Sequence, residues 1–185
     1  MDSKVSTYIF QALDAYPHYL EEAVEALQYA LAYDENNATA LGLMGQIYAE
    51  SIKSYEVAKS YFEKALAADL YALDVYPKYV DVLLWNEDYD EAEKLIDFAL
   101  SVKGTDKAIL HVKKGILFEH RFDYDAALAS IEKAKRFTYN NEFLEELKEE
   151  RSRIKKKMNA TQKKKEKPSK TKEAPSKKKE LRDKQ

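Results

Sequence analysis

The sequence predicts an all-α solenoid of helix–turn–helix units, and three observations support this fold class. A helical pattern recurs about every 34 residues along the chain, a period typical of helical repeat arrays. Each recurrence places alanine, a large apolar residue and alanine on one helical face. The 185 residues include only four glycines and four prolines, although 45% are hydrophobic. Few helix breakers and a regular apolar period together favour stacked helices.

The repeated pattern is clearest at Ala58, Phe62 and Ala65, which occupy positions i, i+4 and i+7 of a predicted helix. These positions share one face, and the two alanines let a neighbouring helix approach closely. We interpret each recurrence as the second helix of a unit. The equivalent residues in the other units are Ala23, Leu27, Ala30; Ala92, Ile96, Ala99; and Ala127, Ile131, Ala134.

The residues that precede these second helices are suited to capping. Ser54, Asp88 and Asp123 each stand just before a predicted helix, where a side-chain oxygen can accept a hydrogen bond from a free backbone N–H. Asp88 with Glu91 also fits a capping box. We therefore expect the second helices to begin at these three positions.

Two glycines mark the first helices of their units. Gly45 lies 13 residues before Ala58, and Gly115 lies 12 residues before Ala127. A glycine inside a helix costs about 1 kcal/mol relative to alanine, so it usually has a packing reason. We expect each glycine to lie against the paired second helix.

This combination resembles the tetratricopeptide repeat family over roughly residues 3–140. Residues 38–70 match best, and residues 106–139 match next best. The third unit departs from the pattern, with Val80 where the family prefers glycine and Leu83 where it prefers tyrosine. The family's tryptophan at the start of the first helix is replaced by Leu41, Tyr76 and His111.

The resemblance implies six segments in chain order. The first is a degenerate N-terminal repeat, because it keeps only half of the family pattern. Three full repeats, a capping helix and a disordered Lys-rich tail follow. Their predicted limits are residues 1–37, 38–70, 71–105, 106–140, 141–158 and 159–185. Within them, helices are predicted over residues 3–14, 20–33, 38–50, 54–68, 70–86, 89–102, 106–120, 124–137 and 141–158.

The boundaries of these helices come from breakers and capping residues. Pro17 ends the first helix, and either Asn36 or Asn37 caps the third. Gly104 is a plausible C-cap, after which Thr105 or Asp106 starts the next helix.

The third repeat contains a short sequence that also occurs near the N-terminus. Residues 72–79 resemble residues 12–19, and both include Tyr-Pro-x-Tyr. Pro77 would lie inside the predicted helix, so we expect a kink or break near residues 74–77. The alternative is a helix that begins at Pro77. The repeated Tyr-Pro-x-Tyr indicates either a duplicated structural corner, which we favour, or a recognition surface.

The C-terminal part divides into a helix and a tail. Asn141 is predicted to cap a helix whose apolar stripe seals the end of the solenoid, as terminal repeats require. Residues 159–185 hold one large apolar residue, Leu181, and so cannot bury enough surface to order alone. The basic residues predicted to contact a partner from this C-terminal part are Lys155, Lys156, Lys157, Lys163, Lys164, Lys165, Lys177, Lys178 and Lys179.

The net charge of −2 conceals a division between the two ends. Residues 151–185 contain 16 Lys and Arg against 4 Asp and Glu, whereas residues 1–150 contain 15 against 29. An acidic body thus carries a basic tail, and this charge asymmetry favours association with charged partners.

Residues that could carry chemistry are scarce. The absence of cysteine excludes disulfides and thiolate sites. His18, His111 and His120 are far apart, and no glycine-rich phosphate loop occurs. We therefore expect no enzymatic activity, no cofactor and no metal. The start of the chain does not resemble a secretory signal, and no apolar run approaches the roughly 18 residues that span a membrane, so we predict a cytoplasmic protein.

The resemblance also implies a partner-binding groove along the first helices. Chaperone-adaptor members of the family clamp a carboxylate there with Lys and Asn, but no such residue occupies these positions. The predicted groove mixes apolar residues with Asp74, Asp81 and Glu119, so it should prefer an apolar or basic peptide. The positions are Thr39, Gly42, Gln46, Ala49, Asp74, Pro77, Asp81, Leu84, Ile109, Val112, Ile116 and Glu119.

Several functional hypotheses remain open from the sequence. The first is a protein-interaction scaffold or adaptor that binds a partner segment in the groove. The alternative is a nucleic-acid- or ribosome-associated protein that acts through phosphate contacts of its basic tail; an anionic membrane surface is a further possible contact. A tail that only improves solubility is the simplest alternative. The tail could also fold back and occupy the acidic groove, an interaction that salt would screen.

Overall fold

The computed structural model describes residues 3–166, and that part of the chain consists of helices and the turns between them. Its α-helices pack in tandem, as the sequence predicts. They are α1 (Ser3–Ala15), α2 (Leu20–Tyr33), α3 (Ala38–Ile47), α4 (Tyr55–Ala68), α5 (Val75–Trp85), α6 (Tyr89–Ser101), α7 (Lys107–His120), α8 (Tyr124–Ala134) and α9 (Asn141–Glu166). A π-helical turn, Tyr48–Ile52, extends α3, and a 3₁₀ turn, Lys135–Phe137, extends α8.

Consecutive helices form the pairs α1–α2, α3–α4, α5–α6 and α7–α8, and each second helix also packs on the next first helix. In addition, α3 contacts α5 and α5 contacts α7. The first helices α3, α5 and α7 therefore form a continuous layer, called the first-helix layer below. The alanine–large–alanine residues lie between the layers, and all of them are 0% exposed: Ala23, Leu27, Ala30, Ala58, Phe62, Ala65, Ala92, Ile96, Ala99, Ala127, Ile131 and Ala134.

The two glycines of the first helices lie against their paired second helices, which confirms the packing prediction. A Cβ atom on Gly45 would lie 2.9 Å from the Phe62 ring, and one on Gly115 would lie 3.0 Å from Cδ1 of Ile131. The third pair has Val80 in place of a glycine, and this side chain is fully buried.

The predicted caps are correct in part. Asn37 and Asp123 each accept a hydrogen bond of 3.0 Å from the backbone N–H three residues on. Ser54 precedes α4 but makes no capping hydrogen bond. Asp88 makes none either, so its predicted capping box is wrong. Its carboxylate instead accepts a hydrogen bond of 2.7 Å from Lys59, because the nearby ammonium is the stronger partner.

The start of α5 differs from the helix predicted over residues 70–86. Backbone hydrogen bonds from Ala72 to Asp69 and from Val75 to Ala72 form a turn there, and the helix begins at Val75. Residues 70–74 are not helical, so the favoured kink or break within a longer helix is wrong, and the structure is nearer to the alternative of a proline at the helix start. Pro77 falls in the first helical turn, where its missing N–H has no intrahelical partner to lose.

The final helix is longer than predicted. Asn140, not Asn141, provides the cap, because its side chain accepts a hydrogen bond of 2.9 Å from the Glu142 N–H. Helix α9 then continues to Glu166, so predicting disorder from residue 159 was wrong for residues 159–166. The sequence there contains no glycine or proline and is rich in strong helix formers. Lys177, Lys178 and Lys179 lie outside the described residues.

Candidate partner-binding groove

The predicted groove residues lie on the first-helix layer with unequal exposure. Thr39, Asp74 and Ile109 are exposed, and Gly42 is buried. Six positions are half-buried: Gln46, Pro77, Asp81, Val112, Ile116 and Glu119. Ala49 and Leu84 are only 2% and 5% exposed, and both belong to the main core cluster. Their side chains therefore serve the core and offer no surface to a partner.

Ala49 lies in the π-helical turn Tyr48–Ile52. Its burial does not require that turn, because Leu84 holds the same repeat position in the α-helix α5 and is buried as well. The neighbouring Glu50 is exposed. Its carboxylate accepts hydrogen bonds of 2.5 Å from the Tyr16 hydroxyl and 3.2 Å from the Gln46 amide.

Asp81, at the middle of the layer, is paired across helices. The ammonium of Lys113 on α7 lies 2.6 and 2.7 Å from its two carboxylate oxygens. Burial raises the pKa of Asp81, although the hydrogen bond and charge of Lys113 oppose this effect. The pair joins α5 to α7 and neutralises the carboxylate that was expected to attract a basic peptide.

Glu119, near the end of α7, is held by helix α9. Arg153 Nη1 and Lys157 Nζ donate to its Oε1 over 2.6 and 2.5 Å. The side chain of Glu119 is only 11% exposed. The hydrogen bonds from Arg153 are the main cause of the lowered pKa of Glu119, and Lys157 adds to them. Helix α9 thus forms the end wall of the layer.

These contacts correct the electrostatics of the predicted groove. Asp74 is also paired, with Lys78 at 3.2 Å, so each of the three acids has a basic neighbour. The sequence reasoning missed Lys113, Arg153 and Lys157 as groove residues. A signal existed, because Asp81 and Lys113 are 32 residues apart and Glu119 and Arg153 are 34 apart, which is about one repeat.

Two cavities open beside the predicted positions. One, of about 430 Å³, lies between α7 and α9 and is lined in part by Ile116, His120, Phe122 and Tyr124. The other, of about 360 Å³, is mainly apolar; its walls include Leu73, Tyr76, Pro77, Ile109 and Leu110. Both provide apolar surface beside polar rims, the usual composition of a recognition surface.

Other site types are not found in the described part of the chain. Residues 3–166 contain no group of three or more His, Cys, Asp or Glu side chains arranged to hold a metal ion. None of the described helices is long and apolar enough to cross a membrane. Of the basic residues predicted to bind a partner, Lys155 and Lys156 are exposed on α9, whereas Lys157 is engaged with Glu119.

Comparison with solved structures identifies similar folds. PilF of Pseudomonas aeruginosa has a TM-score of 0.68 at 22% identity, and the match covers 76% of this chain but 64% of that one. MamA of Desulfovibrio magneticus RS-1 has a TM-score of 0.65 at 15% identity, covering 90% of this chain and 99% of that one. PilW, described as a type IV pilus biogenesis factor, has a TM-score of 0.64 at 16% identity, with 73% and 63% covered.

The chain therefore spans less than two thirds of the PilF and PilW structures that it resembles. No protein-family model matches the sequence, and no curated protein sequence matches it either. At these identities the similarity concerns the fold. Together with the paired helices and their repeat period, it confirms the predicted tetratricopeptide-repeat-like, all-α solenoid.

Proposed function

Starting from this tetratricopeptide-repeat-like solenoid, we propose that the chain is a non-enzymatic interaction scaffold that binds a segment of a partner protein along its first-helix layer. The observation that carries the proposal is the alignment of Gln46, Asp81 and Ile116. These residues hold the same repeat position on α3, α5 and α7, which contact one another in series. A row of half-buried polar and apolar side chains offers the spaced contacts that an extended peptide or a helix requires.

The chemistry of this row favours an apolar partner segment. Asp81 and Glu119 are already neutralised by Lys113 and by Arg153 with Lys157, so a basic peptide would have to displace internal ion pairs. The exposed Ile109 and the apolar walls of the adjoining cavity provide surface that burial would stabilise, at about 25 cal/mol per Å². Recognition would then rest on apolar anchors, with polar side chains at the rim. The cytoplasmic location stays a prediction.

Two matched double variants of the full chain test this proposal. The groove variant is Thr39→Arg with Ile109→Arg, both exposed on first helices. The control is Ser60→Arg with Ala129→Arg, both exposed on second helices. Partners captured from native lysate by the unaltered chain are identified, and the binding of each purified partner to all three proteins is measured. We expect at least about a tenfold loss of affinity for the groove variant, equivalent to about 1.4 kcal/mol, and no loss for the control.

Equal binding by the groove variant and the unaltered chain would exclude the first-helix layer as the site. Capture of nucleic acid that disappears in about 500 mM salt would instead support the hypothesis that the basic C-terminal segment acts through phosphate contacts.

A further inference from the structure

The two ends of the solenoid differ in how they are covered. At the C-terminal end, α9 packs on α8, and its Leu147 and Ile154 are buried there. At the other end, α1 and α2 pack against each other, and α2 packs against α3. In the part that the structure describes, the groove between α1 and α2 is open to solvent. It has a volume of about 480 Å³ and is lined by Tyr8, Gln11, Asp14, Ala15, Tyr19, Glu22, Glu25, Ala26 and Tyr29.

Tyrosine rings form the apolar part of this N-terminal groove. Tyr8 stacks on Tyr29 and on Tyr33, with ring centroids 5.4 and 5.9 Å apart. Tyr19 and Tyr29 are nevertheless 63% and 50% exposed. Such rings attract cations to their faces, and the cluster already does so within the chain. The ammonium of Lys4 lies 5.6 Å from the centroid of Tyr33.

Carboxylates form the polar part of the N-terminal groove. Asp14, Glu22 and Glu25 line it, and the lining contains no lysine or arginine. Among the ion pairs within residues 3–166, none involves these three acids. The first-helix layer is different, because Asp81 and Glu119 there have basic partners. A lysine-rich segment would therefore find uncompensated negative charge at the N-terminal groove rather than along the layer.

We infer that the N-terminal groove docks the Lys-rich segment 167–185 of this chain. The segment contains eight Lys and Arg against three Asp and Glu, opposite in sign to the groove. Lysine side chains suit such a surface, since their methylene stems pack on rings while the ammonium groups reach carboxylates. The 19 residues that follow Glu166 can extend over at most about 63–68 Å, which is about twice the roughly 30 Å diameter of a small domain.

The inference goes beyond the proposed partner binding, because it uses a different surface. It also changes the fold-back hypothesis from the sequence, in which the tail occupied the groove of the first helices. Docking at the N-terminal end leaves that layer free for a partner.

A spin-label experiment on the full chain tests the inference. The chain lacks cysteine, so Ser176→Cys introduces a single attachment point for a nitroxide, which broadens the NMR signals of nearby amides. At about 20 mM salt we expect the amides of residues 8–29 to lose at least about half of their intensity, relative to the reduced label. About 500 mM salt should restore them, because it shortens the screening length to a few ångströms.

Charge reversal identifies the docking surface. Glu22→Lys with Glu25→Lys changes two acids of α2, both exposed, and should abolish the broadening. The control, Glu146→Lys with Glu149→Lys, changes two exposed acids of α9 with the same spacing and should leave it intact. Thermal unfolding of both variants verifies that they remain folded.

A mixed sample distinguishes docking within one chain from docking on a second copy. It contains isotope-labelled chains without the nitroxide and chains that carry the nitroxide but no isotope label, so broadening there reports contact between two copies. Either result supports segment 167–185 as the occupant. Broadening that is absent at low salt, that persists in the Glu22→Lys, Glu25→Lys variant, or that falls on the first-helix layer would overturn the inference.

Discussion

Two stretches of this chain have nearly the same sequence and different structures. Residues 12–19 and 72–79 are identical at six of eight positions. The first stretch begins inside α1 and forms the turn that leads to α2, whereas the second forms a turn and then enters α5. The comparison shows how far local sequence determines structure in this fold.

In the first stretch, the Tyr-Pro pair lies outside the helices. The N–H of Tyr19 donates to the carbonyl of Ala15 over 2.7 Å, which closes the turn, and the Tyr16–Pro17 peptide bond is cis. Tyr16 is half-buried and donates its hydroxyl to Glu50, and Tyr19 is exposed.

In the second stretch, the tyrosines belong to the core. Tyr76 is 0% exposed, and its hydroxyl donates to the carbonyl of Leu70 over 2.9 Å. Tyr79 is buried as well and donates to Glu63 over 3.1 Å. The interpretation of a duplicated corner was therefore wrong. Because Tyr76 and Tyr79 are buried, they do not form a recognition surface either.

The repeat period explains the difference. The two stretches are 60 residues apart, which is not a multiple of about 34. They fall at opposite ends of a first helix, so their side chains meet different neighbours. Position within the repeat, rather than the local sequence, decides which tyrosine is buried.

The largest difference is expected between Tyr76→Ala and Tyr16→Ala. Removing the fully buried ring of Tyr76 should lower the free energy of unfolding by about 3–5 kcal/mol, since it leaves a cavity in the core. Removing the half-buried ring of Tyr16 should cost about 1–2 kcal/mol. Urea unfolding of both variants measures the two values. Equal costs would contradict the assignment of the two stretches to different environments.

The next largest loss of stability is expected at residue 75, one of the two positions at which the two stretches differ. Val75 is 1% exposed and packs in the main core cluster, whereas the equivalent residue of the first stretch is Ala15. Val75→Ala removes two buried methyl groups and should cost about 1.6 kcal/mol, at about 0.8 kcal/mol for each buried carbon. Thermal unfolding checks this value. A cost under about 0.5 kcal/mol would mean that the second stretch does not depend on the larger side chain.

A smaller effect is expected for the buried hydroxyl of Tyr79. Tyr79→Phe should cost about 1 kcal/mol, because one partly buried hydrogen bond to Glu63 is lost. Tyr19→Phe, at the equivalent exposed position, is the control and should change the free energy of unfolding by less than about 0.5 kcal/mol.

The Tyr79→Phe variant should also differ in how its free energy of unfolding depends on alkaline pH. Burial and the Glu63 carboxylate raise the pKa of Tyr79 above its usual value. The unfolded state therefore loses this proton first, near pH 10, so the stabilisation is complete below about pH 10 and is lost as the pH rises further. Tyr79→Phe should make stability fall less steeply above pH 10. Denaturant midpoints between about pH 9 and 11 test this, and an unchanged slope would contradict the burial of the hydroxyl.

The smallest effect is expected at the other differing position, Lys78. Its ammonium lies 3.2 Å from Asp74, whose side chain is 74% exposed, and exposed ion pairs of this kind contribute about 0–1 kcal/mol. Lys78→His and the reciprocal His18→Lys should each change stability by less than about 0.5 kcal/mol, as measured by thermal unfolding. A larger loss in Lys78→His would show that this pair helps to define the start of α5.

The features predicted correctly from sequence depend on residues within one helix or one helix pair. The contact of Gly45 with the helix of Phe62 was predicted from periodicity. A glycine on the first helix and an alanine-lined face on the second let the two helices pack closely in only one way. The capping box at Asp88 was wrong because Lys59 competes for the carboxylate from another repeat. The placement of Ala49 and Leu84 in the groove was wrong because this repeat position packs into the core shared by neighbouring helices.

The sequence by itself determined the all-α repeat architecture, the faces of the second helices and the close helix pairs. These follow from the 3.6-residue period of the helix and the repeat period near 34, which are readable along the chain. Only the tertiary structure decided which carboxylates are neutralised and which Tyr-Pro stretch is buried. Pairs such as Asp81 with Lys113 join adjacent repeats, so they depend on the stacking between repeats. A separation of about one repeat allows such a pair, but only the stacked helices determine which acid meets which base.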